Sequence, residues 1–284
     1  MKTKQLLTVL AISFLAFAIS SCKKTNETAI EEIETTFELS GDQAVADNLT
    51  QDAGDVMEEA AGRNNLLGST ASGSTTTTNN WLPPCVIITV TGNFPSKNIR
   101  IDFGTGCTSP NGVFRKGIIN VVLTDSLRHT GSMATITFDN YYVNTFKKEG
   151  TITWTNTTVT GSVTRSWKRQ VANGKITAAN GNFWLHSSNI DITQTAGVST
   201  PLDITDDIFS LSGTRTVTNP AGKSRTSTTQ TALQKKTNCS NIDQGILKVQ
   251  GPNHYALIDF GDGTCNNLAT ISIDGRAPRT IFLR

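Results

Sequence analysis

The sequence predicts an all-β fold, an antiparallel meander closed or curved into a roll, barrel or sandwich, with one short N-terminal helix. The first observation is the threonine content: 44 of 284 residues are Thr, and most of them follow Trp81. Threonine is β-branched and suits a pleated sheet better than a helix. The second is the strict alternation of apolar residues with Thr in Thr151-Ile152-Thr153-Trp154-Thr155, which is typical of a strand with one buried face. The third is the recurrence of Asn-Gly and Asp-Asn turn signals with no helical period between them, which argues against parallel βαβ units.

Runs rich in Val, Ile and Thr predict the individual strands. Clear examples are Val86–Val90, Ile118–Leu123 and Ala134–Phe138. The short intervals between turn signals predict about twelve to fifteen strands. We therefore expect a single β domain over residues 81–284.

The first 21 residues have the three parts of a signal peptide. Lys2 and Lys4 precede an apolar run, Leu6–Ile19, and small residues follow it. The run is shorter than the roughly 20 apolar residues that a membrane span needs. Ile19-Ser20-Ser21-Cys22 resembles the bacterial lipobox, which implies cleavage before Cys22, lipidation of its thiol and anchoring in the outer membrane by acyl chains. An ordinary secretory signal is the alternative, and the side of the membrane that the protein faces is left open.

Residues 22–80 are predicted to form an acidic tether with a short helix. Residues 25–63 contain eleven acidic residues and one basic residue, whereas the chain from Asn64 onward has 20 Lys and Arg against 12 Asp and Glu. A helix near residues 42–60, with Ser40 as N-cap, is predicted by an approximate 3.6-residue period of apolar side chains. Acidic runs are usually solvated, and docking of this helix on the basic part of the chain is the alternative. Residues 68–80 are rich in Gly, Ser and Thr and are predicted to be a linker.

Two copies of a cysteine motif stand at the ends of the predicted β domain. Cys85 precedes an Ile-Asp-Phe-Gly-Thr-Gly run that ends at Cys107, and Cys239 precedes Ile-Asp-Phe-Gly-Asp-Gly-Thr, which ends at Cys265. Exported chains meet an oxidising compartment, so two disulfides are expected. Three pairings are open, and we favour Cys85–Cys107 and Cys239–Cys265 because each ties a strand to the one that ends at the Gly-rich turn. A Cys₄ metal site is the alternative, but the close ligand spacing of such sites is missing.

Two resemblances rest on these motifs. The turn Asp259–Thr264 resembles the WDFGDG signature of polycystic-kidney-disease domains, which are Ig-like sandwiches in extracellular proteins, although Ile258 stands where that signature has Trp. The lipobox, the acidic helix, IDFGTGC, the run Thr137–Asn144 and the terminal IDFGDGTC together resemble a family of Bacteroidota outer-membrane lipoproteins. That resemblance implies a lipid anchor and an all-β body. It implies no catalytic residues, because none are assigned in the family.

Motifs of catalysis and metal binding are missing from the sequence. His129, His186 and His254 share no metal-ligand spacing, and a G-x-S-x-G nucleophile elbow is lacking. We therefore predict no catalytic residues, no metal and no cofactor, and a non-catalytic binding or structural role in the cell envelope. The alternative is a glycan-processing hydrolase with a dispersed carboxylate pair.

One run places charge beside an aromatic ring. Arg165, Trp167, Lys168 and Arg169 form a candidate site for an anionic glycan or a lipid phosphate. Packing of the tryptophan in the core is the alternative. The expected partners are the membrane, through the lipid anchor, and an anionic envelope glycan or a protein. Export argues against nucleic acid.

Overall fold

The computed structural model describes residues 28–68, 77–78, 81–93 and 96–283. The predicted signal peptide, the lipobox with Cys22 and most of the predicted linker lie outside these residues. Within them the chain forms one helix, α1 (Ala29–Arg63), and fourteen strands. The strands are β1 (Ile87–Thr91), β2 (Lys97–Asp102), β3 (Cys107–Thr108), β4 (Phe114–Leu123), β5 (Met133–Val143), β6 (Phe146–Asn156), β7 (Ser166–Thr177), β8 (Phe183–Ala196), β9 (Ile208–Thr218), β10 (Ser224–Lys236), β11 (Gln244–Gln250), β12 (Tyr255–Asp262), β13 (Leu268–Ile273) and β14 (Arg279–Phe282).

The strands form one antiparallel sheet in which neighbours in sequence are neighbours in space. The order is β1-β2-β4, then every strand in turn to β14, and β3 pairs with β4 beside this path. The prediction of an antiparallel all-β meander is therefore confirmed. β1 and β14 lie at opposite edges and the sheet is open, which leaves a roll or a sandwich among the three predicted closures.

Glycine bulges bend the long strands. Gly117 on β4 and Gly150 on β6 have φ of 84° and 110° and lie where the strand register shifts. A Cβ at Gly117 would lie 2.2 Å from the carbonyl oxygen of Asn140, and one at Gly150 would lie 2.6 Å from that of Asn173. Only glycine fits such a bulge, which bends and twists its strand. The bends allow the sheet to curve around α1.

The sheet encloses α1. Every residue from Gln43 to Gly54 is buried, which is more than three helical turns. The helix packs against β2 and against β8 to β13. The interpretation of the acidic segment as solvated is therefore wrong for α1, and the docking alternative is confirmed.

The helix is also longer than predicted, because it begins at Ala29 rather than near residue 42. Its N-cap is Thr28, whose hydroxyl accepts a hydrogen bond from the Glu31 amide at 3.2 Å. Ser40, the predicted cap, lies inside the helix and donates to the Thr36 carbonyl at 2.6 Å. The first turns of α1 lack an apolar period because polar side chains make the tertiary contacts there. The Glu32 carboxylate, for example, accepts a hydrogen bond from the backbone N–H of Asn253 at 2.6 Å.

Gly54 is explained by packing. Glycine destabilises the interior of a helix. However, a Cβ at Gly54 would lie 2.7 Å from Cζ2 of Trp154, so the indole of β6 packs directly against the helix backbone.

The four cysteines of the duplicated motif form the favoured pairs. Cys85 and Cys107 are bonded with their Cα atoms 6.2 Å apart, and Cys239 and Cys265 with theirs 5.3 Å apart. The two copies also approach each other, since Asn111 Nδ2, shortly after Cys107, donates to Ser240 Oγ at 3.0 Å. The disulfides therefore close two loops at one end of the sheet.

The acidic residues of these motifs stabilise their own turns. Asp102 accepts from the Gly104 amide at 2.7 Å, and Asp259 accepts from the Gly261 amide at 2.9 Å. Asp262 likewise accepts from the Thr264 amide at 3.0 Å. These are the local caps that Asp provides in tight turns, so the likeness to the polycystic-kidney-disease turn has a backbone explanation.

Candidate functional site

Five strands each direct a buried cation towards α1, and we call this set the cation belt. Its members are Arg115 on β4, Lys148 on β6, Arg169 on β7, Arg215 on β9 and Lys235 on β10. Each is at most 1% exposed. Buried charges of this kind persist in proteins when they are paired or hydrogen-bonded.

Three members of the belt form ion pairs with the helix. Arg115 donates from Nε and Nη2 to the two carboxylate oxygens of Asp52, at 3.0 and 2.6 Å. Arg215 Nε lies 2.8 Å from Asp47 Oδ2, and Lys235 Nζ lies 3.0 Å from Asp55 Oδ2. The acidic helix and the basic strands therefore neutralise each other inside the protein.

The other two members bind neutral side chains. Lys148 Nζ donates to Thr50 Oγ1 at 3.0 Å, and Arg169 Nη1 donates to Gln51 Oε1 at 2.6 Å. Burial, followed by repulsion from Arg169, lowers the pKa of Lys148 to about 7. Burial also lowers the pKa of Arg169, to about 10. This part of the belt holds more positive than negative charge.

The belt changes how the basic excess of the chain is interpreted. Of the chain's 20 Lys and Arg after residue 63, the five members of the belt lie against the helix rather than on the surface, and so does Arg225, whose Nε donates to Thr36 Oγ1 at 2.9 Å. The outer surface is therefore less basic than the sequence suggests. Any electrostatic site must be located among the cations that remain outside.

The structure does not bring the four residues of the candidate run Arg165–Arg169 together. Trp167 and Arg169 point to the buried face of β7, where the indole packs edge-on against Phe209 at 5.8 Å between centroids. Lys168 points outward and pairs with Asp191 at 2.9 Å. Arg165 donates to Gln194 Oε1 at 3.0 Å. Strand alternation thus separates the aromatic ring from the nearest exposed cation.

A carboxylate pair lies near the C-terminal end of α1. Glu58 and Asp207 both contact Arg128 Nη2, at 3.8 and 3.4 Å. Burial, followed by repulsion from Asp55, raises the pKa of Glu58. Burial, followed by repulsion from Glu58, raises the pKa of Asp207 to about 8. The adjoining cavity is lined by Trp154, Trp167 and Phe209, among others, but its volume is only about 30 Å³. That space holds one or two waters and no sugar ring.

The outer face of the sheet carries a groove of about 430 Å³. Its lining includes Glu149, Lys175, Leu185 and Thr218, which are successive cross-strand partners on β6, β7, β8 and β9. Hydroxyls of Ser187, Thr216 and Thr218 line it as well. The groove lies beside the bulge at Gly150. We call it the outer groove.

A row of lysines and aromatic rings runs beside the outer groove. It consists of cross-strand partners from β4 to β8, namely Lys116, Tyr142, Lys147, Thr177 and Phe183. Lys116 Nζ lies 4.1 Å from the centroid of the Tyr142 ring. Lys147 of the row also contacts the outer groove, because its Nζ lies 3.1 Å from Oε1 of Glu149, which lines the groove.

The groove and the row share one further contact. Lys175 Nζ, in the groove, lies 4.5 Å from the centroid of the Phe183 ring, in the row. Groove and row together hold three lysines and one glutamate. This surface was missed by sequence reasoning because its members are spread over more than 100 residues, from Lys116 to Thr218, and only strand register brings them together.

A second open groove, of about 380 Å³, lies among the loops that the disulfides close. Its lining is rich in asparagine, but these amides already make structural hydrogen bonds: Asn144 accepts from the Phe114 amide and Asn241 donates to the Asn266 carbonyl. Cys239, Asp243 and Cys265 also lie close together here. The two sulfurs are bonded to each other, so this cluster is not a thiolate metal site.

Comparisons with protein-family models, with curated proteins and with solved structures find no match to this chain. In the part of the chain that the structure describes, no helix combines the length and the hydropathy needed to span a membrane.

Proposed function

We propose that this protein is a lipid-anchored component of the cell envelope, attached to the outer membrane through Cys22, with a non-catalytic binding or structural role. The observation that carries the proposal is the position of α1. The helix fills the concave side of the sheet, where an open roll would hold a ligand, and the cavity beside it is of water size. Ligands or partners therefore contact the outer surface.

An anionic envelope glycan is the ligand that we favour, and a protein partner is the second possibility. The outer groove and the row beside it together hold three lysines and one glutamate, and lipid anchoring would hold the protein beside acidic glycans. Exposed ion pairs are individually weak and are screened over about 8 Å at physiological ionic strength. Binding should therefore involve several contacts and weaken with salt.

Lipidation is tested by labelling cells with radioactive palmitate. We expect incorporation into the wild-type protein and none into the Cys22→Ala variant. Undiminished labelling of the variant would refute the assignment. Protease treatment of intact cells then distinguishes display on the cell surface from the periplasmic face.

Binding is tested with the purified full-length protein and a panel of acidic and neutral polysaccharides. We expect acidic polymers to bind at low ionic strength and to dissociate as salt is added. If no acidic polymer binds, a purely structural role remains.

A glycan-processing hydrolase is the alternative, and the pair Glu58 and Asp207 is its specific support. Raised pKa values beside tryptophan rings suit a general acid. The water-sized cavity opposes it. Release of reducing sugars by the wild-type protein, and its loss in Glu58→Gln, would favour the hydrolase over our proposal.

A further inference from the structure

We propose that the outer groove and its flanking row form the binding site for a carboxylated polysaccharide chain. This inference deepens the proposed function and rests on it. It assigns the ligand class and the residues that contact the ligand.

The geometry of the row suits an extended polymer. Strands lie about 4.8 Å apart, so five cross-strand partners from Lys116 to Phe183 span about 19 Å. Lysine and aromatic side chains alternate over the first three positions, Lys116, Tyr142 and Lys147 on β4, β5 and β6. Thr177 then precedes the ring of Phe183. A chain laid across the strands would meet a positive charge and an aromatic ring in turn.

The chemistry of the groove suits a sugar that carries carboxylates. Lys147 and Lys175 supply ammonium groups at its edge, and the hydroxyls of Thr216 and Thr218 supply donors and acceptors for sugar hydroxyls. Leu185 is 46% exposed and gives the groove an apolar patch for the less polar face of a sugar ring. Acidic polysaccharides combine all three features.

The shape of the surface favours a polymer chain over a lipid bilayer. The groove of about 430 Å³ is concave, whereas a bilayer presents a broad surface that would contact only the rim. Membrane binding also relies on apolar side chains that insert among the lipids. Among the described residues that line the groove, Leu185 is the one apolar side chain, and the rings of Tyr142 and Phe183 in the row each lie within 4.5 Å of a lysine ammonium group.

The experiment measures the affinity of the full-length protein for polygalacturonic acid, a carboxylated polysaccharide, with neutral dextran as reference. The test variant is Lys147→Ala combined with Lys175→Ala. We expect its association constant to fall about ten-fold at low salt, because an exposed ion pair contributes up to about a factor of five. Circular dichroism should show an unchanged fold, since both lysines lie on the outer face.

A matched control removes two other lysines of the same outer face. Lys168 pairs with Asp191 as Lys147 pairs with Glu149, and Lys248 lies 4.8 Å from the Tyr255 ring centroid, much as Lys175 lies over Phe183. The combination of Lys168→Ala and Lys248→Ala makes the same change in net charge. We expect its affinity to stay within two-fold of the wild type.

The outcomes separate this inference from the proposed function. If the wild type binds and both double variants weaken this binding equally, or neither weakens it, the groove assignment is overturned and the proposed function stands. If the wild type binds no acidic polymer, the groove assignment and the anionic glycan ligand are both refuted, and only the structural role of the proposed function remains. If dextran binds as tightly as polygalacturonic acid, the role of the carboxylates is overturned. If the protein binds vesicles of anionic lipid through these lysines but binds no polysaccharide, the surface is a membrane site instead.

Discussion

Replacement of Asp52 by Asn should destabilise the protein strongly. Both Asp52 and Arg115 are completely buried, and the carboxylate accepts two hydrogen bonds from the guanidinium. Burial opposes the charge on Arg115, and Asp52 offsets this by raising the pKa of the guanidinium. The variant loses that support, but the arginine stays charged because a guanidinium is not deprotonated in proteins. Asparagine would direct an N–H₂ group at an N–H donor of this arginine.

The expected loss is about 3–5 kcal/mol of unfolding free energy, the range for a buried ion pair that loses one partner. Replacement of both residues by apolar ones, Asp52→Leu with Arg115→Met, should lose much less, because no buried charge is then left unpaired. The single variants Asp52→Leu and Arg115→Met form a cycle with this double variant, and the coupling free energy should exceed about 2 kcal/mol.

Urea unfolding followed by tryptophan fluorescence, with the disulfides intact, measures these values. Arg100 and Asp102 provide the control, because they form a partly exposed Arg–Asp pair at 2.7 Å. Arg100→Met should lose less than about 1 kcal/mol. If Asp52→Asn loses no more than this control, or if the losses in the cycle are additive, the ion pair does not hold the helix in the sheet.

Three further predictions concern the helix and the disulfides. Gly54→Ala should destabilise the protein by about 1–3 kcal/mol through overpacking, whereas Gly41→Ala, with no atom within 4 Å of its added Cβ, should stabilise it by up to about 1 kcal/mol. Urea unfolding of the two variants measures both effects. Changes in unfolding free energy of the same sign would contradict the packing argument. Burial and repulsion from Glu38 raise the pKa of Asp42 in the folded state to about 7, so folding takes up a proton and the unfolding free energy falls as the pH rises from about 4 to 7. Asp42→Asn should flatten this dependence. An unchanged profile of unfolding free energy against pH in the variant would refute the prediction. Peptide mapping without reductant should recover Cys239 linked to Cys265, and a different linkage would overturn the assignment. Replacement of both cysteines by Ser should lower the unfolding free energy by about 2–5 kcal/mol.

The class of fold could be predicted because strand signals are local. Alternation of apolar residues and threonine over 151–155 reports one buried face, and Asn-Gly turns report the end of a strand without reference to the rest of the chain. The disulfide pairs were also predictable, because each joins residues fewer than 30 positions apart. The bulge at Gly150 was not predictable as a bend, since a glycine in a strand pattern also suits a turn.

The helix shows where local signals end. An enclosed helix is normally recognised by apolar residues on every side. In α1 the buried positions include Asp47, Asp52 and Asp55, so the sequence resembles a solvated segment. Their partners stand far away in sequence, as Arg115 does from Asp52, and only the sheet brings them together.

The sequence by itself therefore determined the antiparallel strands, the turns and the paired cysteines, because each depends on side chains close together in the chain. Only the tertiary structure decided which charged side chains are buried. Arg169 became part of the core because α1 occupies the concave side of the sheet. Lys147 and Lys175 stayed outside, on the row and the outer groove that strand register assembles. Burial of a charge depends on the partner that reaches it, and the position of that partner is a property of the whole fold.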